Sequence, residues 1–137
     1  MGRLVRFGIA IDGDLLAEFD GRVGGGYRNR SEAIRDLIRE RLVEREWEES
    51  GEVAGAITIV YNHHRRELLD RIMDIEHDCH GIIISTTHVH LDHHNCLETA
   101  VVRGKSKDVR ALFTKLRSLK GVTHAAISRA TTGRSLG

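Results

Sequence analysis

Nine residues in the second half of the chain concentrate side chains that bind metal ions. The stretch HVHLDHHNC, residues 88–96, contains four histidines and one cysteine. His88 and His90 are two positions apart, so in a β-strand both rings leave the same face, with about 6.6 Å between their Cα atoms. If LDHHN connects a hairpin that places Cys96 opposite His90, all three side chains converge. Two imidazoles and a thiolate suit a borderline or soft transition metal and do not suit magnesium or calcium.

A closed site of this kind needs a fourth ligand. Residues near the end of a predicted helix, about ten positions before the histidine strand, can supply it. The candidates there are His77, Cys79 and His80. Spacing alone does not choose among them. The remaining histidines of the region are expected to be solvated side chains without a ligand role, namely His63, His64, His93 and His94.

The pattern that positions these residues is that of a split βαββαβ unit. Alternating and continuous apolar runs predict strands, and apolar residues at helical spacing predict helices. The predicted strands are 53–61, 82–91, 96–102 and 122–128, and the predicted helices are 64–79 and 105–119. This order predicts a ferredoxin-like, four-stranded antiparallel sheet with both helices on one face.

Simple alternation divides the histidine strand into two faces. It groups His88 and His90 with Ile82 and Ile84, and it groups Val89 and Leu91 with Ile83. The helices can cover only one face of the sheet, so we expect the other to be buried against a second chain. If the histidines are on the face toward that partner, the metal site lies at a subunit interface and the fourth ligand comes from another chain.

The N-terminal segment has a different pattern. The stretch VRFGIAI alternates and predicts one short strand over residues 5–11, with Val5, Phe7, Ile9 and Ile11 on its apolar face. Asp12 can cap a first helix. Asn29, with Glu32 three positions later, resembles the capping box of a longer second helix. The segment is therefore predicted to be strand, helix, helix.

A single strand in a unit of this size requires a partner, because its backbone groups would otherwise stay unpaired. We therefore expect a dimer whose two strands form an antiparallel ribbon, a shape that fits the major groove of DNA. The outer face of this ribbon would present Arg6, Gly8 and Ala10. Arg6 has the donor fork that can bridge guanine O6 and N7. Phosphate contacts are expected near the start of the second helix from Arg28, Arg30 and Ser31.

Composition limits the classes of protein that fit. With 21 basic and 20 acidic residues, the 137-residue chain has a formal net charge of only +1, so any DNA contact must be local. No apolar run reaches the roughly 18 residues that cross a bilayer, and the N-terminus lacks the apolar region of an export signal. Two cysteines, Cys79 and Cys96, are more typical of thiols than of a disulfide framework. The protein is therefore expected to be cytoplasmic, without a membrane partner.

The two patterns are separated by a charged segment, EREWEESGE, that contains Gly51. We interpret it as a linker. It divides the chain into a predicted DNA-binding domain, residues 1–50, and a predicted metal-binding and oligomerisation domain, residues 51–137.

Together these features resemble the NikR family of nickel-responsive transcriptional regulators. The most similar pieces are RSEAIRDLI at 30–38, HVHLDHHNCLE at 88–98 and LKGV at 119–122. The resemblance implies an α+β protein: a ribbon-helix-helix domain followed by a ferredoxin-like, ACT-type domain, assembled as a homotetramer with metal at the tetramer interface. It implies square-planar nickel(II), one ion per chain, bound by His88, His90 and Cys96 of one subunit and His77 of another.

The resemblance also implies roles in the N-terminal half. It implies that Arg6 reads DNA from the ribbon, whereas Gly8 and Ala10 replace residues that carry hydroxyls in some members. It implies a secondary cation site between the two domains at Glu32 and Asp36. The implied function is repression of nickel uptake genes, with nickel as corepressor and an operator of two separated half-sites.

Two other functions are compatible with parts of the pattern. One is a zinc hydrolase, but no carboxylate or further histidine is clearly placed as a general base, and the ribbon would have no role. The other is a metal-independent ribbon-helix-helix repressor whose C-terminal ACT-like domain binds a small molecule. The sequence also leaves the identity of the metal undecided, because the general order of affinities among divalent ions favours copper over nickel.

Overall fold

The structure, a computed structural model, describes residues 2–136. The chain divides into two compact units. One comprises the residues up to Leu42 together with those from Gly133 onward, and the other comprises Val43–Thr132. None of the helices in the described part of the chain has both the length and the apolar character that crossing a membrane requires.

Two capped helices begin in the first unit. Helix α1 spans Gly13–Arg22, and helix α2 begins at Arg30 and ends at Glu48. The Asp12 carboxylate accepts hydrogen bonds from the backbone N–H groups of Asp14, at 2.9 Å, and Leu15, at 3.3 Å. The Asn29 side-chain oxygen accepts one from the N–H of Glu32, at 2.9 Å. Both predicted caps are thus confirmed, and each satisfies a donor that the first helical turn leaves unpaired.

The predicted strand over residues 5–11 is not formed in the single chain. Residues 2–12 contain neither helix nor strand. Apolar side chains on this segment are exposed to solvent, with Phe7 at 72% and Ile9 at 63%. The prediction fails here for a physical reason: a strand is defined by hydrogen bonds to a neighbouring strand, and one chain of this protein offers no neighbour at this position.

The charged segment after residue 43 is not an extended linker. Helix α2 continues through it to Glu48. Trp47 is 1% exposed, and its indole N–H donates to the carbonyl oxygen of Ala130 at 2.9 Å. The many charged residues around Trp47 suggested a solvated connection, but a single large aromatic ring is enough to bury one side of the last helical turns.

The second unit confirms the βαββαβ prediction. Its elements are β1 (Glu52–Asn62), α3 (Arg66–Asp78), β2 (Ile83–His90), β3 (Asn95–Lys105), α4 (Ser106–Ser118) and β4 (Val122–Arg129). The strand order is β2-β3-β1-β4, and all three neighbouring pairs are antiparallel. Gly121 joins α4 to β4 with a φ of 103°, a conformation that favours glycine.

One face of this sheet forms the core. Strands β1 and β3 contribute alternate buried residues, including Ile57, Ile59 and Val102. Apolar residues of both helices, such as Ile72 of α3 and Leu112 of α4, belong to the same cluster. Both helices therefore pack on one face, as predicted. The opposite face is open in the single chain.

A β-bulge changes which residues of β2 share a face. Ile83 pairs with Val102, but Ser85 pairs with Val101, so Ile84 is the extra residue. Strict alternation breaks at a bulge. Ile83 therefore lies on the helix-covered face together with His88 and His90, and the predicted grouping of Ile83 with Val89 is wrong. The histidines do not face the open side of the sheet.

Candidate metal centre

The β2–β3 hairpin brings His90 and Cys96 together. The two residues are paired directly across the strands, as predicted. The distance between His90 Nδ1 and Cys96 Sγ is 3.4 Å. Nitrogen and sulfur ligands bonded to one metal at about 2.0 and 2.3 Å lie about 3.0 Å apart at a right angle and about 3.5 Å apart at the tetrahedral angle. The pair therefore has the separation of two neighbouring ligands.

His88 lies beside this pair on the same face. It is paired with Glu98 across the hairpin, two positions along from His90 and Cys96. The rings of His88 and His90 are stacked with their centroids 5.3 Å apart. The His88 ring is also stacked with the Tyr61 ring, and the two ring centroids are 6.0 Å apart. His90 thus meets Cys96, but among residues 2–136 His88 does not belong to the group whose donor atoms lie within 4.8 Å of one another, so the convergence of all three side chains stays a prediction.

The structure adds a histidine that sequence reasoning left without a role. Donor atoms of His63, His90 and Cys96 all lie within 4.8 Å of one another. His63 directly follows β1, whose register with β3 pairs Tyr61 with Cys96. A signal for this was available: in a βαββαβ sheet β1 is the neighbour of β3, so residues at the end of β1 lie beside those at the start of β3.

The three candidates for a fourth ligand lie elsewhere in the single chain. His77 is in the last turn of α3, Cys79 is its C-cap residue and His80 follows. The His77 and His80 rings are 6.2 Å apart, and His80 Nδ1 is 3.0 Å from the His77 carbonyl oxygen. Among residues 2–136, none of the three joins the group formed by His63, His90 and Cys96.

The cysteine is the buried member of the group. Cys96 is fully buried, whereas His90 is exposed. Burial raises the pKa of the Cys96 thiol, and the carboxylates of Asp92 and Glu98 raise it further. Without a cation the protonated thiol is therefore favoured. A metal ion is the positive charge that would stabilise the thiolate here, so the donor set fits such an ion.

Two carboxyl groups, one buried and one partly buried, lie on the same side of the sheet as His88. Glu98 is buried and accepts a hydrogen bond from the Tyr61 hydroxyl at 3.3 Å. Burial, together with a hydrogen bond to Glu98, raises the pKa of Glu76. Burial, followed by the charge of Glu98, also raises the pKa of Tyr61. Tyr61, Glu76 and Glu98 thus form a polar support beneath His88 that sequence analysis did not single out.

The hairpin loop carries a second histidine group. Donor atoms of His64, His93 and His94 lie within 4.8 Å of one another, and all three residues are exposed. The His93 carbonyl oxygen is 2.8 Å from His63 Nε2 and 2.9 Å from His64 Nε2. The loop therefore connects the two histidine groups through one backbone carbonyl.

The residues expected to bind a secondary cation have a protein partner. Asp36 of α2 accepts a hydrogen bond from the Tyr27 hydroxyl at 2.5 Å, and this bond raises the pKa of Tyr27. Glu32 lies one helical turn earlier, where its backbone N–H is capped by Asn29. The two carboxylates are on one side of the helix, at the i,i+4 spacing of neighbours.

The predicted DNA-binding residues are accessible. Arg6, Gly8, Ala10, Arg28, Arg30 and Ser31 are all exposed. Arg6 lines a groove together with Ser31 and Arg35 of α2. Arg30 already has a partner, since it donates two hydrogen bonds to the Asp20 carboxylate at 3.1 and 2.7 Å. A phosphate contact from Arg30 therefore requires exchange of that partner.

Comparison with known proteins covers both halves of the chain. The family described as "NikR C terminal nickel binding domain" matches residues 54–130. The family described as "Ribbon-helix-helix protein, copG family" matches residues 5–45.

Relatives match over nearly the full length. A protein of Nitratidesulfovibrio vulgaris (strain DSM 19637 / Miyazaki F) named "Putative nickel-responsive regulator" is 54% identical over 99% of both chains. Proteins with the same name from Solibacter usitatus and Syntrophus aciditrophicus are 53% and 51% identical. The former match covers 99% of both chains, and the latter covers 93% of this chain and 94% of the relative.

A solved structure supports the fold alone. An uncharacterized protein from Thermotoga maritima superposes with a TM-score of 0.54 at 16% identity, over 58% of this chain and 99% of that one. The hydrolase interpretation is set aside, because both halves match families of DNA-binding and nickel-binding regulators rather than enzymes. With matches to both halves and identities above 50% across nearly its whole length, this chain belongs to the NikR family of nickel-responsive, DNA-binding transcriptional regulators.

Proposed function

We propose that this regulator is a repressor of nickel uptake genes that binds its operator most tightly when nickel(II) is bound. The observation that carries the proposal is the hairpin pair of His90 and Cys96, 3.4 Å apart, next to His88, in a chain whose N-terminal half is a ribbon-helix-helix domain. DNA binding is assigned to residues 1–50, and metal binding and tetramerisation are assigned to residues 51–137.

The proposed ligands are His88, His90 and Cys96 of one chain and His77 of a second copy, with one nickel ion per chain. Strand β2 is at the edge of the sheet, and its helix-side histidines are exposed. His77 is exposed at the end of α3. Three neutral imidazoles and a thiolate are a donor set on which nickel(II) or copper(II) can be planar, whereas zinc prefers a tetrahedral arrangement.

The proposed assembly is a homotetramer built as a dimer of dimers. Two surfaces support it. One is the N-terminal segment, on which Phe7 and Ile9 are exposed and which becomes a strand only beside a second copy. The other is the open face of the C-terminal sheet, where Val89 is 47% and Val101 is 42% exposed. Two independent apolar surfaces on one chain generate closed assemblies larger than a dimer.

The proposed DNA contacts follow from the ribbon. Arg6 reads a guanine from the outer face of the ribbon, which it shares with Gly8 and Ala10. Arg28, Arg30 and Ser31 bind phosphates near the start of α2. Two ribbons at opposite ends of a tetramer suit an operator of two separated half-sites. A second cation at Glu32 and Asp36 is also proposed. It would have to compete with the hydrogen bond from Tyr27.

The test is operator binding measured with and without each divalent metal. By linkage, a corepressor binds more tightly to the DNA-competent arrangement, and such couplings are typically about 1–3 kcal/mol, or roughly 5–150-fold. We expect nickel(II) to lower the operator Kd at least about fivefold. Operator DNA should tighten nickel binding by the same factor. If nickel binds while the operator Kd stays constant, the corepressor role is wrong.

The matched control is Arg6→Ala in the same assay. Arg6 lies outside the metal-binding unit, so nickel binding in the absence of DNA should be unchanged. One bidentate guanine contact accounts for about 1–3 kcal/mol of discrimination. The variant should therefore lose preference for operator over random DNA. Retained preference would assign base reading to another residue.

A further inference from the structure

One of the arginines proposed to bind DNA phosphates is already held by an acidic residue. Arg30 is the first residue of α2, and Asp20 lies in the last turn of α1. Arg30 Nε donates to Asp20 Oδ1 at 3.1 Å, and Arg30 Nη2 donates to Asp20 Oδ2 at 2.7 Å. This bidentate pair occupies one complete edge of the guanidinium group. Arginine binds phosphate through the same paired geometry.

Neither member of this pair suits the helix end that carries it. A negative charge is disfavoured at the C-terminal end of a helix, where Asp20 lies, and a positive charge is disfavoured at the N-terminal end, where Arg30 lies. The pair offsets both mismatches. The start of α2 is, however, the position at which an anion from outside the protein is favoured. Asp20 therefore occupies an arginine at a position suited to a phosphate.

The Asp20 carboxylate can compete with a phosphate because it offers the same chemistry. It presents two oxygen atoms of an anion to the arginine fork. The hydrogen bond from Arg30 lowers the pKa of Asp20, so the carboxylate is ionised at neutral pH. Both side chains are about half exposed, and a DNA phosphate can therefore approach the pair from solvent.

The charge of Asp20 reduces what Arg30 can contribute to DNA binding. An arginine that neutralises a phosphate releases counterions and strengthens binding to DNA of any sequence. The pair with Asp20 is neutral overall, so an approaching phosphate gains little. If the phosphate displaces Asp20, the carboxylate is left unpaired beside the negatively charged backbone. Asp20 weakens the contact in either case.

We propose that Asp20 limits the DNA affinity of this regulator by competing with backbone phosphates for Arg30. The inference rests on the proposed phosphate contact of Arg30. Phosphate contacts carry no base sequence, so Asp20 weakens binding to operator and to random DNA by similar factors. Base preference stays with Arg6. Limited attraction to random DNA keeps more of the regulator free to reach its operator among many competing sites.

The experiment measures the Kd of the nickel-loaded, full-length protein for two duplexes over a range of salt concentrations. One duplex is selected from a random pool by the wild-type protein, and the other is a random sequence of equal length. Asp20→Asn removes the charge and keeps the size. It should lower both Kd values at least about threefold and steepen the salt dependence of log Kd by about 0.9 for each Arg30 that gains a phosphate. The ratio of the two Kd values should change by less than about twofold.

The matched control is Glu18→Gln, which neutralises another arginine-paired carboxylate of the same helix. Glu18 pairs with Arg22 at 2.6 Å, and Arg22 is not a proposed DNA contact. Both pairs are exposed, so both variants should remain folded. The control should change either Kd by less than about twofold. Equal tightening in Glu18→Gln and Asp20→Asn overturns the proposal, because net charge alone would then explain it.

A double variant shows whether the effect depends on Arg30. Asp20→Asn combined with Arg30→Ala should lose the tightening, since the two residues act on one contact. Tightening that survives in the double variant overturns the proposal. Unchanged or weaker DNA binding in Asp20→Asn also overturns it, because Asp20 would then be neutral or would orient Arg30 toward the phosphate. If the double variant nevertheless binds more weakly than Asp20→Asn, the phosphate contact of Arg30 stands without this inference. The response of the wild type to nickel is measured separately, so failure of the corepressor role is distinguishable.

Discussion

Cys96 differs from the other members of its group because it is fully buried while its histidine neighbours are partly or largely accessible. A buried thiolate is costly, and the neighbouring carboxylates add repulsion. The charge of a metal ion offsets both effects. If Cys96 is a nickel ligand, as proposed, nickel binding and loss of the thiol proton would be coupled at this residue, whereas imidazoles would bind as neutral ligands.

The first prediction separates His88 from His63, each of which has its ring beside that of His90. His88→Ala should lower nickel affinity at least about tenfold, because a proposed ligand is removed. His63→Ala should lower it by less than about threefold, because His63 is not one of the proposed ligands. The measurement is competition against a chelator of known nickel affinity.

Cys96→Ala is the reference variant for this comparison. It should abolish the sulfur-to-nickel absorption, whereas His63→Ala should leave that absorption in place. If His63→Ala weakens binding more than His88→Ala, the ligand is His63, as the distances within the single chain suggest. A band that survives in Cys96→Ala would remove the thiolate from the proposed set.

Among the elements, helix α2 is important because its last turn is anchored in the core of the second unit. Trp47 is almost completely buried, and its indole N–H donates to the Ala130 carbonyl oxygen at 2.9 Å. The ring also covers Gly55, where an added Cβ would lie 3.2 Å from Trp47 Cζ2. The added Cβ would lie closer still, at 2.5 Å, to the Ser128 carbonyl oxygen of β4, so glycine here permits the close approach of β4 as well as of the indole ring.

The second prediction concerns this anchor. Trp47→Ala should lower the free energy of unfolding by about 3–5 kcal/mol, because a large buried side chain leaves a cavity. Trp47→Phe should cost less, since most of the packing remains and about 1 kcal/mol is lost with the hydrogen bond. Urea denaturation of the metal-free protein at fixed concentration measures both.

Arg45→Ala is the control from the same helix. Its ion pairs with Glu48 and Glu49 are exposed, and pairs of this kind contribute about 0–1 kcal/mol. The order of destabilisation should be Trp47→Ala, Trp47→Phe, Arg45→Ala. Equal stability of Trp47→Ala and the wild type would mean that the indole is not part of the core in solution.

At the scale of the whole molecule, the chain leaves many large apolar side chains exposed while its net charge is only +1. One apolar surface is on the N-terminal segment, and the other is on the open face of the sheet. The near-zero net charge offers little repulsion between copies. Self-association through both surfaces, as proposed, would account for these features.

The third prediction places a charge on the open face of the sheet. Val101→Glu should convert the proposed tetramer into dimers, because a carboxylate at a buried interface has no partner. The fold of the chain should survive, since Val101 is 42% exposed in the single chain. Sedimentation measures the assembly, and circular dichroism measures the fold.

Thr114→Glu, at an exposed position of α4, is the matched charge change and should remain a tetramer. The dimers formed by Val101→Glu should bind a single half-site. They should therefore lose the extra operator affinity that comes from binding both half-sites at once. If Val101→Glu sediments like the wild type, the open face is not the tetramer interface.

Short-range patterns in the sequence determine the helix caps and most of the secondary-structure elements of this protein. Residues such as Asp12 and Asn29 cap helices through groups two or three positions away, so local chemistry is sufficient to predict them. Apolar periodicity predicted all six elements of the second unit and the split topology that pairs His90 with Cys96. Family resemblance added the fourth ligand, the assembly and the response to nickel.

Only the tertiary structure decided which residues meet across long distances and breaks in the pattern. A bulge at Ile84 reversed the face of Ile83, because one extra residue shifts a two-residue period. His63 came beside Cys96, 33 positions away in the sequence, because β1 pairs with β3. Trp47 was buried by a contact with Ala130, although its own neighbours are charged. Such contacts depend on how the elements pack, and residue spacing does not encode that packing by itself.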